Sequence, residues 1–296
     1  MQLNLIAHSK YTVLDRILFP VAKRFVAGRT IQEAVQVVQA LNEHRISATL
    51  DVLGENVQDK GSAEAAVGRY LTTLDWIEKS GVQSNVSLKL TQMGLDIDRD
   101  FCRSNLVQIC KRAVRTGNFV RIDMEGSRYT EATLSLFLEL HHEYKNVGIV
   151  IQACLRRSAY DLQRVHDEGA CVRLCKGAYK ESPAVAYQKM SDIRENFKKL
   201  AEVLFTKGNY PAIATHDDQL IDWTKQYARQ NQISPAQFEL QMLYGVRPET
   251  QRALTSQGYR VRVYVPYGTH WLPYFSRRLR ERKENVYFVL RNLLKA

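Results

Sequence analysis

Eight times in succession a short β-branched or apolar run gives way to a longer amphipathic stretch. ISATLDVL precedes 62–80, NVSLKL precedes 101–116, FVRIDM precedes 130–144, and VGIVIQ precedes 157–168. ACVRLCK precedes 182–206, YPAIATH precedes 218–230, QFELQML precedes 248–257, and YRVRVYV precedes 271–283. Near-continuous apolar strands separated by helices imply a parallel sheet covered on both faces, because a parallel connection needs a crossover element. Eight such units in one stretch fit a closed α/β (βα)8 TIM barrel better than an open doubly wound sheet, which has fewer strands and a glycine fingerprint for nucleotide. Neither GxGxxG nor GxxxxGK[ST] occurs.

Upstream, residues 10–43 read as two helices, the second opened by Thr30 as N-cap with Glu33 three places on. No low-complexity linker follows, so the expected organisation is an N-terminal helical extension over 1–45 and a barrel over 46–296. Of the 296 residues, 45% are hydrophobic and 25% charged, a balance that supports a packed core and argues against disorder. No apolar run approaches the roughly 18 residues of a membrane span, and Lys10 and Asp15 interrupt any signal-peptide core. The expected location is therefore cytoplasmic. Five cysteines without CxxC spacing read as reduced core thiols.

The chain carries 42 Lys and Arg against 31 Asp and Glu, a formal charge of +11. Nucleic acid, an acidic membrane surface or an anionic ligand could each account for it. The excess is local: residues 260–296 hold nine basic and two acidic residues, a net +7.

In a (βα)8 barrel, chemistry gathers where the strands' carboxyl ends meet their loops. The expected strand ends carry Asp51, Lys89, Asp123, Gln152, Arg173 with Lys176, Thr215 with His216, Glu239 with Gln241, and Tyr264. Ionisable groups inside apolar strands, as in SLKL, VRID and VRLCK, are expensive to bury unless they serve a purpose. With Arg277 and Arg278, the cations outnumber Asp51, Asp123 and Glu239, so the pocket should suit a carboxylate or phosphate. Metal is a poor fit, since HExxH is absent and His141 and His142, adjacent on a helix, read as exposed surface. No nucleophile motif such as GxSxG occurs. Lys89 or Lys176 as a Schiff-base amine stays open at this point.

The strings SLKL (87–90), VRIDME (120–125), VIQACLRR (150–157), VRLCKGAYKES (172–182), ATHD (214–217), FELQMLYGV (238–246) and VRVYVPYGTHWLPYFSRRLRERKEN (261–285) resemble the proline dehydrogenase family in its short monofunctional bacterial form. They run in family order over about residues 45–290. The resemblance implies a distorted barrel whose final helix lies over the carboxyl end. It further implies FAD-dependent oxidation of L-proline to Δ1-pyrroline-5-carboxylate, with electrons passed to a membrane quinone.

Carried over residue by residue, the resemblance implies that Arg277, Arg278 and Lys89 grip the proline carboxylate, with Glu281 holding one arginine and Asp123 fixing the lysine. Tyr179, Leu243 and Tyr264 would wall the ring. Arg173, Lys176, Gly177, Gln152, Thr215 and His216 would contact the flavin. The aromatic that stacks on adenine in the long bifunctional relatives is replaced by Lys180, which opens the choice between FAD and FMN. A separate pyrroline-5-carboxylate dehydrogenase would complete the path to glutamate. The competing readings are a cofactor-free lysine-dependent lyase and a nucleic-acid-binding protein using the basic C-terminus. No nucleic acid is expected, because basic residues interleaved with aromatics are missing. Arg280, Arg282, Lys283, Arg291 and Lys295 remain for solvent or for a peripheral encounter with the inner face of an anionic membrane.

Overall fold

The computed structural model describes residues 18–281. Eight parallel strands close in sequence order into one barrel: β1 (Ile46–Val52), β2 (Ser84–Leu88), β3 (Val120–Ile122), β4 (Val147–Gln152), β5 (Val172–Cys175), β6 (Ala212–Ala214), β7 (Glu239–Leu243) and β8 (Val261–Tyr267). Around them run α1 (Ile31–Glu43), which precedes β1, and α2 (Lys60–Ser80), α3 (Arg99–Arg115), α4 (Thr130–Glu143), α5 (Ser158–His166), α6 (Met190–Lys207), α7 (Asp218–Gln230), α8 (Pro248–Ser256) and α9 (Trp271–Glu281). The polar starts are what the sequence provides: Thr30, Asp59, Asp98 and Asp217 each accept a backbone N–H as N-caps of α1, α2, α3 and α7. The expected helix over 182–206 begins only at Met190. The chain before it is irregular, with a single bridge from Ala186 to Leu155.

The strands alternate, in contrast to the uniformly apolar runs expected. Val86 and Leu88, Val120 and Ile122, Val172 and Leu174, and Val261, Val263 and Val265 are buried in the apolar core beneath the helices. The intervening residues point into the barrel, because successive side chains on a strand take opposite faces. Their mutual contacts prove it: Arg173 of β5 reaches Gln241 of β7, and Tyr264 of β8 reaches Asp123 beyond β3, links that only the barrel interior permits. A polar, hydrogen-bonded filling therefore takes the place of the branched aliphatic layers usual in this fold.

One consequence of chain order shapes the mouth of the barrel. The apolar stripe Ala34, Val35 and Val38 of α1 joins the main core and packs across β1 and β8, the flank that the helix after β8 would otherwise cover. Helix α9 instead packs on the segment that leads into α1. Phe19 meets Trp271 and Phe25 meets Phe275, with ring centroids 5.4 and 6.3 Å apart. Ala27 and Gly268 tie the same segment to the end of β8 through Ala27 N to Pro266 O and Gly268 N to Gly28 O. At Gly245, φ is +73° and Arg24 O lies only 1.6 Å from where a Cβ would stand, so that approach requires glycine.

His141 departs from the exposed helix surface expected for it. It is 3% exposed, and its ring nitrogens lie 3.1 and 3.2 Å from the carbonyl oxygens of Val147 and Glu168. The 3.6-residue period turns it inward while leaving His142 outside. No helix among the described residues is long and apolar enough to cross a membrane.

Candidate active site

Asp123, just past β3, is the hub of the barrel mouth. Its Oδ1 accepts from Arg173 Nη1 at 2.8 Å and Ser87 Oγ at 2.6 Å, and its Oδ2 accepts from the Tyr264 hydroxyl at 2.7 Å. Lys89 lies between two carboxylates, with Nζ 3.2 Å from Asp51 and 3.6 Å from Asp123, and it also donates to Tyr264 at 3.3 Å. The nearer partner of Lys89 is thus Asp51, whereas Asp123 makes its shortest contacts to Ser87, Tyr264 and Arg173. Tyr70 backs Asp51 from α2, its hydroxyl 3.3 Å from the carboxylate and donating to Ser87 O at 2.8 Å.

Burial works against every charge in this cluster, and the partners decide which survive. Burial alone would depress the Lys89 ammonium, but Asp51 and Asp123 outweigh it and hold the group above its ordinary value. Burial would likewise raise Asp123, yet Arg173 and Lys89 pull it below the usual carboxylate range. Asp51 goes the other way, because desolvation exceeds what Lys89 returns. Lys89 is consequently a fixed cation. A Schiff-base lysine needs a depressed amine, so this environment disfavours the lyase reading.

A cavity of about 1140 Å³ opens above this cluster. That exceeds the roughly 300–1,000 Å³ typical of a single small-ligand pocket. Lys89, Asp123, Gln152, Arg173, Lys176, Gly177, Tyr179, Thr215, His216, Leu243, Tyr264, Arg277 and Arg278 all line it. The tertiary structure thus brings these sequence-predicted residues together. Glu281 closes α9, and its side chain lies outside the described atoms, as do residues 282–296 with Arg282, Lys283, Arg291 and Lys295, and the side chain of Arg280.

Glu239 does not belong at the mouth. It begins β7, four residues before Leu243, and at about 3.3 Å rise per residue it sits deep toward the amino end, paired with Arg262 at 2.8 Å. Arg277 is held at 2.6 Å by Glu55, from the loop after β1. Burial disfavours its charge, but the hydrogen bond to Glu55 and the charge of that carboxylate, with smaller contributions from Tyr179 and Tyr264, together outweigh it and raise the guanidinium further.

The opposite end of the cavity is built around Asp217. Its Oδ2 accepts from Lys176 Nζ at 2.9 Å and from Arg194 Nε at 2.8 Å, while its Oδ1 caps α7. His216 Nε2 accepts the Leu243 N–H at 2.8 Å, and Arg247 donates to His216 O. Three cations, Lys176, Arg194 and Arg247, outnumber Asp217 and Asp218 beside a helix N-terminus, a balance that suits a phosphate-bearing group. Gly177, at φ +112°, approaches so closely that a Cβ would lie 2.3 Å from Cys154 Sγ. Gln152 donates to Glu125 O at 2.9 Å, which leaves its own carbonyl facing the Gly177 turn. The size of the cavity and its donor set fit a phosphate-bearing cofactor.

Sequence reasoning missed Glu55, Arg194, Asp217 and Arg247 in this site. Asp217 had a signal, as the residue after ATH in the N-cap position; Glu55, Arg194 and Arg247 stand on loops or helix faces with no local pattern to mark them.

Comparison with known proteins converges. The family profile described as proline dehydrogenase matches residues 34–291. Proline dehydrogenase 1 of Bacillus subtilis (strain 168) is 43% identical over 274 residues, covering 93% of this chain and 91% of the relative. The proline dehydrogenase of Deinococcus radiodurans is 37% identical over 283 residues, covering 94% and 91%. Among solved structures, proline utilization A (PutA) from Bdellovibrio bacteriovorus, inactivated by N-propargylglycine, superposes with a TM-score of 0.82 at 27% identity, covering 88% of this chain. This chain spans only 32% of that longer protein.

Proposed function

The chain belongs to the proline dehydrogenase family, and from that premise we propose that it oxidises L-proline to Δ1-pyrroline-5-carboxylate with FAD as its bound cofactor. When bound, FAD would supply the two-electron acceptor, at flavin N5, for the hydride leaving proline C5, while the substrate amine gives up its proton. Arg277, Arg278 and Lys89 bind the substrate carboxylate, the arginines by planar forks and the lysine as a point charge. Tyr179, Leu243 and Tyr264 wall the ring and exclude water. Asp123 and Asp51 orient Lys89, and no side chain is needed as nucleophile, so the protein contributes position and charge complementarity.

Because Arg277 is already paired with Glu55, the incoming carboxylate exchanges one anion for another and the arginine is never left unpaired. On the cofactor side, Arg173, Gln152, Lys176, Gly177, Thr215 and His216 hold the flavin, with Arg173 favouring the anionic reduced ring. Electrons leave for a membrane quinone, reached by a peripheral encounter of a cytoplasmic protein with the inner face of the membrane. A separate pyrroline-5-carboxylate dehydrogenase consumes the product on the way to glutamate.

The observation that carries this reading is one cavity with two basic walls: Lys89, Arg277 and Arg278 on one, Lys176 and Arg194 around Asp217 on the other. This pattern supports a carboxylate substrate at the first wall and a phosphate-bearing cofactor at the second. The test is an anaerobic absorbance spectrum of the purified protein before and after L-proline. Flavin bands that bleach are expected. A colourless protein that borohydride crosslinks to its substrate would instead establish the lyase. Acid release of the flavin identifies it as FAD or FMN, the choice that Lys180 opens.

A further inference from the structure

Beneath the mouth, a chain of hydrogen bonds runs down the barrel axis. Arg173 Nε donates to Gln241 Oε1 at 2.6 Å, and Gln241 Nε2 donates to Glu239 Oε1. The same carboxylate oxygen accepts from Arg262 Nε at 2.8 Å, and Arg262 in turn donates to Ala48 O at 2.6 Å. Arg173, Gln241 and Glu239 are 6%, 4% and 4% exposed, so water does not compete for these bonds. Glu239 and Gln241 share the inward face of β7 because they are two residues apart.

We propose that Glu239 is a positioning residue for Arg173, acting from the amino end of the barrel through the amide of Gln241. The two ends of an amide differ: the oxygen only accepts and the nitrogen only donates. An ionised Glu239 only accepts, so it forces the Gln241 nitrogen downward and the oxygen upward. The oxygen is then fixed where Arg173 Nε, a pure donor, needs an acceptor. Flipping the amide would set nitrogen against nitrogen above and oxygen against oxygen below. Burial alone would raise Glu239, but Arg262 outweighs it and keeps the carboxylate ionised. With Nε pinned by Gln241 and Nη1 by Asp123 and Ser87, the guanidinium plane has two anchors on opposite sides. Removing the lower one leaves it free to swing about the other.

This inference rests on the flavin reading of the site, where Arg173 stabilises the reduced ring. That reading stands or falls on bleaching of the wild-type protein by L-proline, whatever the Glu239 and Gln241 variants do. The test of the inference is the midpoint potential of the bound flavin in Glu239→Gln, Gln241→Met and the double variant, with thermal melts of each. Glutamine at 239 can offer either amide end and no longer dictates the orientation of Gln241. Each single variant is expected to lower the potential by an amount corresponding to about tenfold in the reduction equilibrium, or about 30 mV for a two-electron couple. The double variant should lower it no further, because both changes cut the same chain. Should Glu239→Gln fail to fold for want of a partner for Arg262, Gln241→Met still decides, since it leaves the Glu239–Arg262 pair intact. Potentials equal to wild type despite lower melting temperatures would reduce Glu239 to a partner of Arg262 and overturn the proposal. Additive shifts would overturn it as well.

Discussion

Asp123 and Asp51 flank the same ammonium, that of Lys89, yet they are driven in opposite directions: Asp123 below the ordinary carboxylate value and Asp51 above it. Asp123 has a second cation, Arg173, and two hydroxyl donors; Asp51 has Lys89 as its cation, while the nearby Tyr70 hydroxyl gives its proton to Ser87 O. The folded protein holds the Asp123 proton more weakly than the unfolded chain does. Ionised Asp123 therefore stabilises the fold above the ordinary value of about 3.9, and that stabilisation drains away as pH falls below it toward the depressed folded value. Asp51 contributes with the opposite sign, its effect being largest below that ordinary value and lost as pH rises through its elevated folded value. Urea unfolding across roughly pH 3 to 6 should show Asp123→Asn with a flatter acid limb than wild type, and Asp51→Asn with a steeper one. Identical acid limbs in all three proteins would contradict the assignment.

Arg278 is 7% exposed on the side of α9 that lines the cavity. Truncating one partner of a buried, hydrogen-bonded charge pair costs about 2–5 kcal/mol. Arg278→Met should therefore raise the Michaelis constant for proline by at least about thirtyfold, the equivalent of 2 kcal/mol, with a much smaller change in kcat. An unchanged Michaelis constant would remove Arg278 from the carboxylate site.

The rings of Phe25 and Phe275 hold α9 at the barrel mouth from outside the cavity. Phe25 is fully buried, and Phe→Ala in a core typically costs about 3–5 kcal/mol. Phe25→Ala should lower the melting temperature and, because α9 carries Arg277 and Arg278, also weaken proline binding. A melt that drops while the Michaelis constant stays fixed would show that α9 is placed by something other than this contact.

Gly177 and Gly81 both have positive φ, but a Cβ at Gly177 meets Cys154 Sγ at 2.3 Å while nothing lies within 4 Å at Gly81. Gly81→Ala should cost only the backbone strain, about 1 kcal/mol, and leave flavin content unchanged. Gly177→Ala adds a clash at the cavity wall and should reduce the flavin bound per protein, measured by the ratio of visible to ultraviolet absorbance. Equal flavin content in the two variants would mean that the Gly177 turn is not part of the cofactor wall.

Much of the architecture is legible in the residue pattern. The eight-fold alternation specifies the barrel because each strand's apolar face requires a covering helix, and β7 and β8 lie where the runs QFELQML and YRVRVYV fall. Lys89 and Arg173 mark the mouth by standing within or just past strands, whereas Arg277, on a helix, is marked only by the family resemblance. Depth within a strand is not legible: Glu239 and Gln241 sit in one polar-looking run, and only the barrel's axial rise separates a buried arginine partner from a group at the mouth. Nor does the pattern say that α1 takes the flank beside β8 and sends α9 over the opening. That choice depends on Phe19 and Phe25 meeting Trp271 and Phe275 from more than two hundred residues away.

Periodicity and capping are properties of neighbours in the chain, so the strands, the helices and the closed parallel sheet are already written in the order of the residues. Charge states and pairings depend on distance and desolvation, which chain proximity does not set. It takes the folded barrel to clamp Lys89 between Asp51 and Asp123, to bring Glu55 onto Arg277, and to let a carboxylate at the far end of the barrel reach Arg173 through one amide.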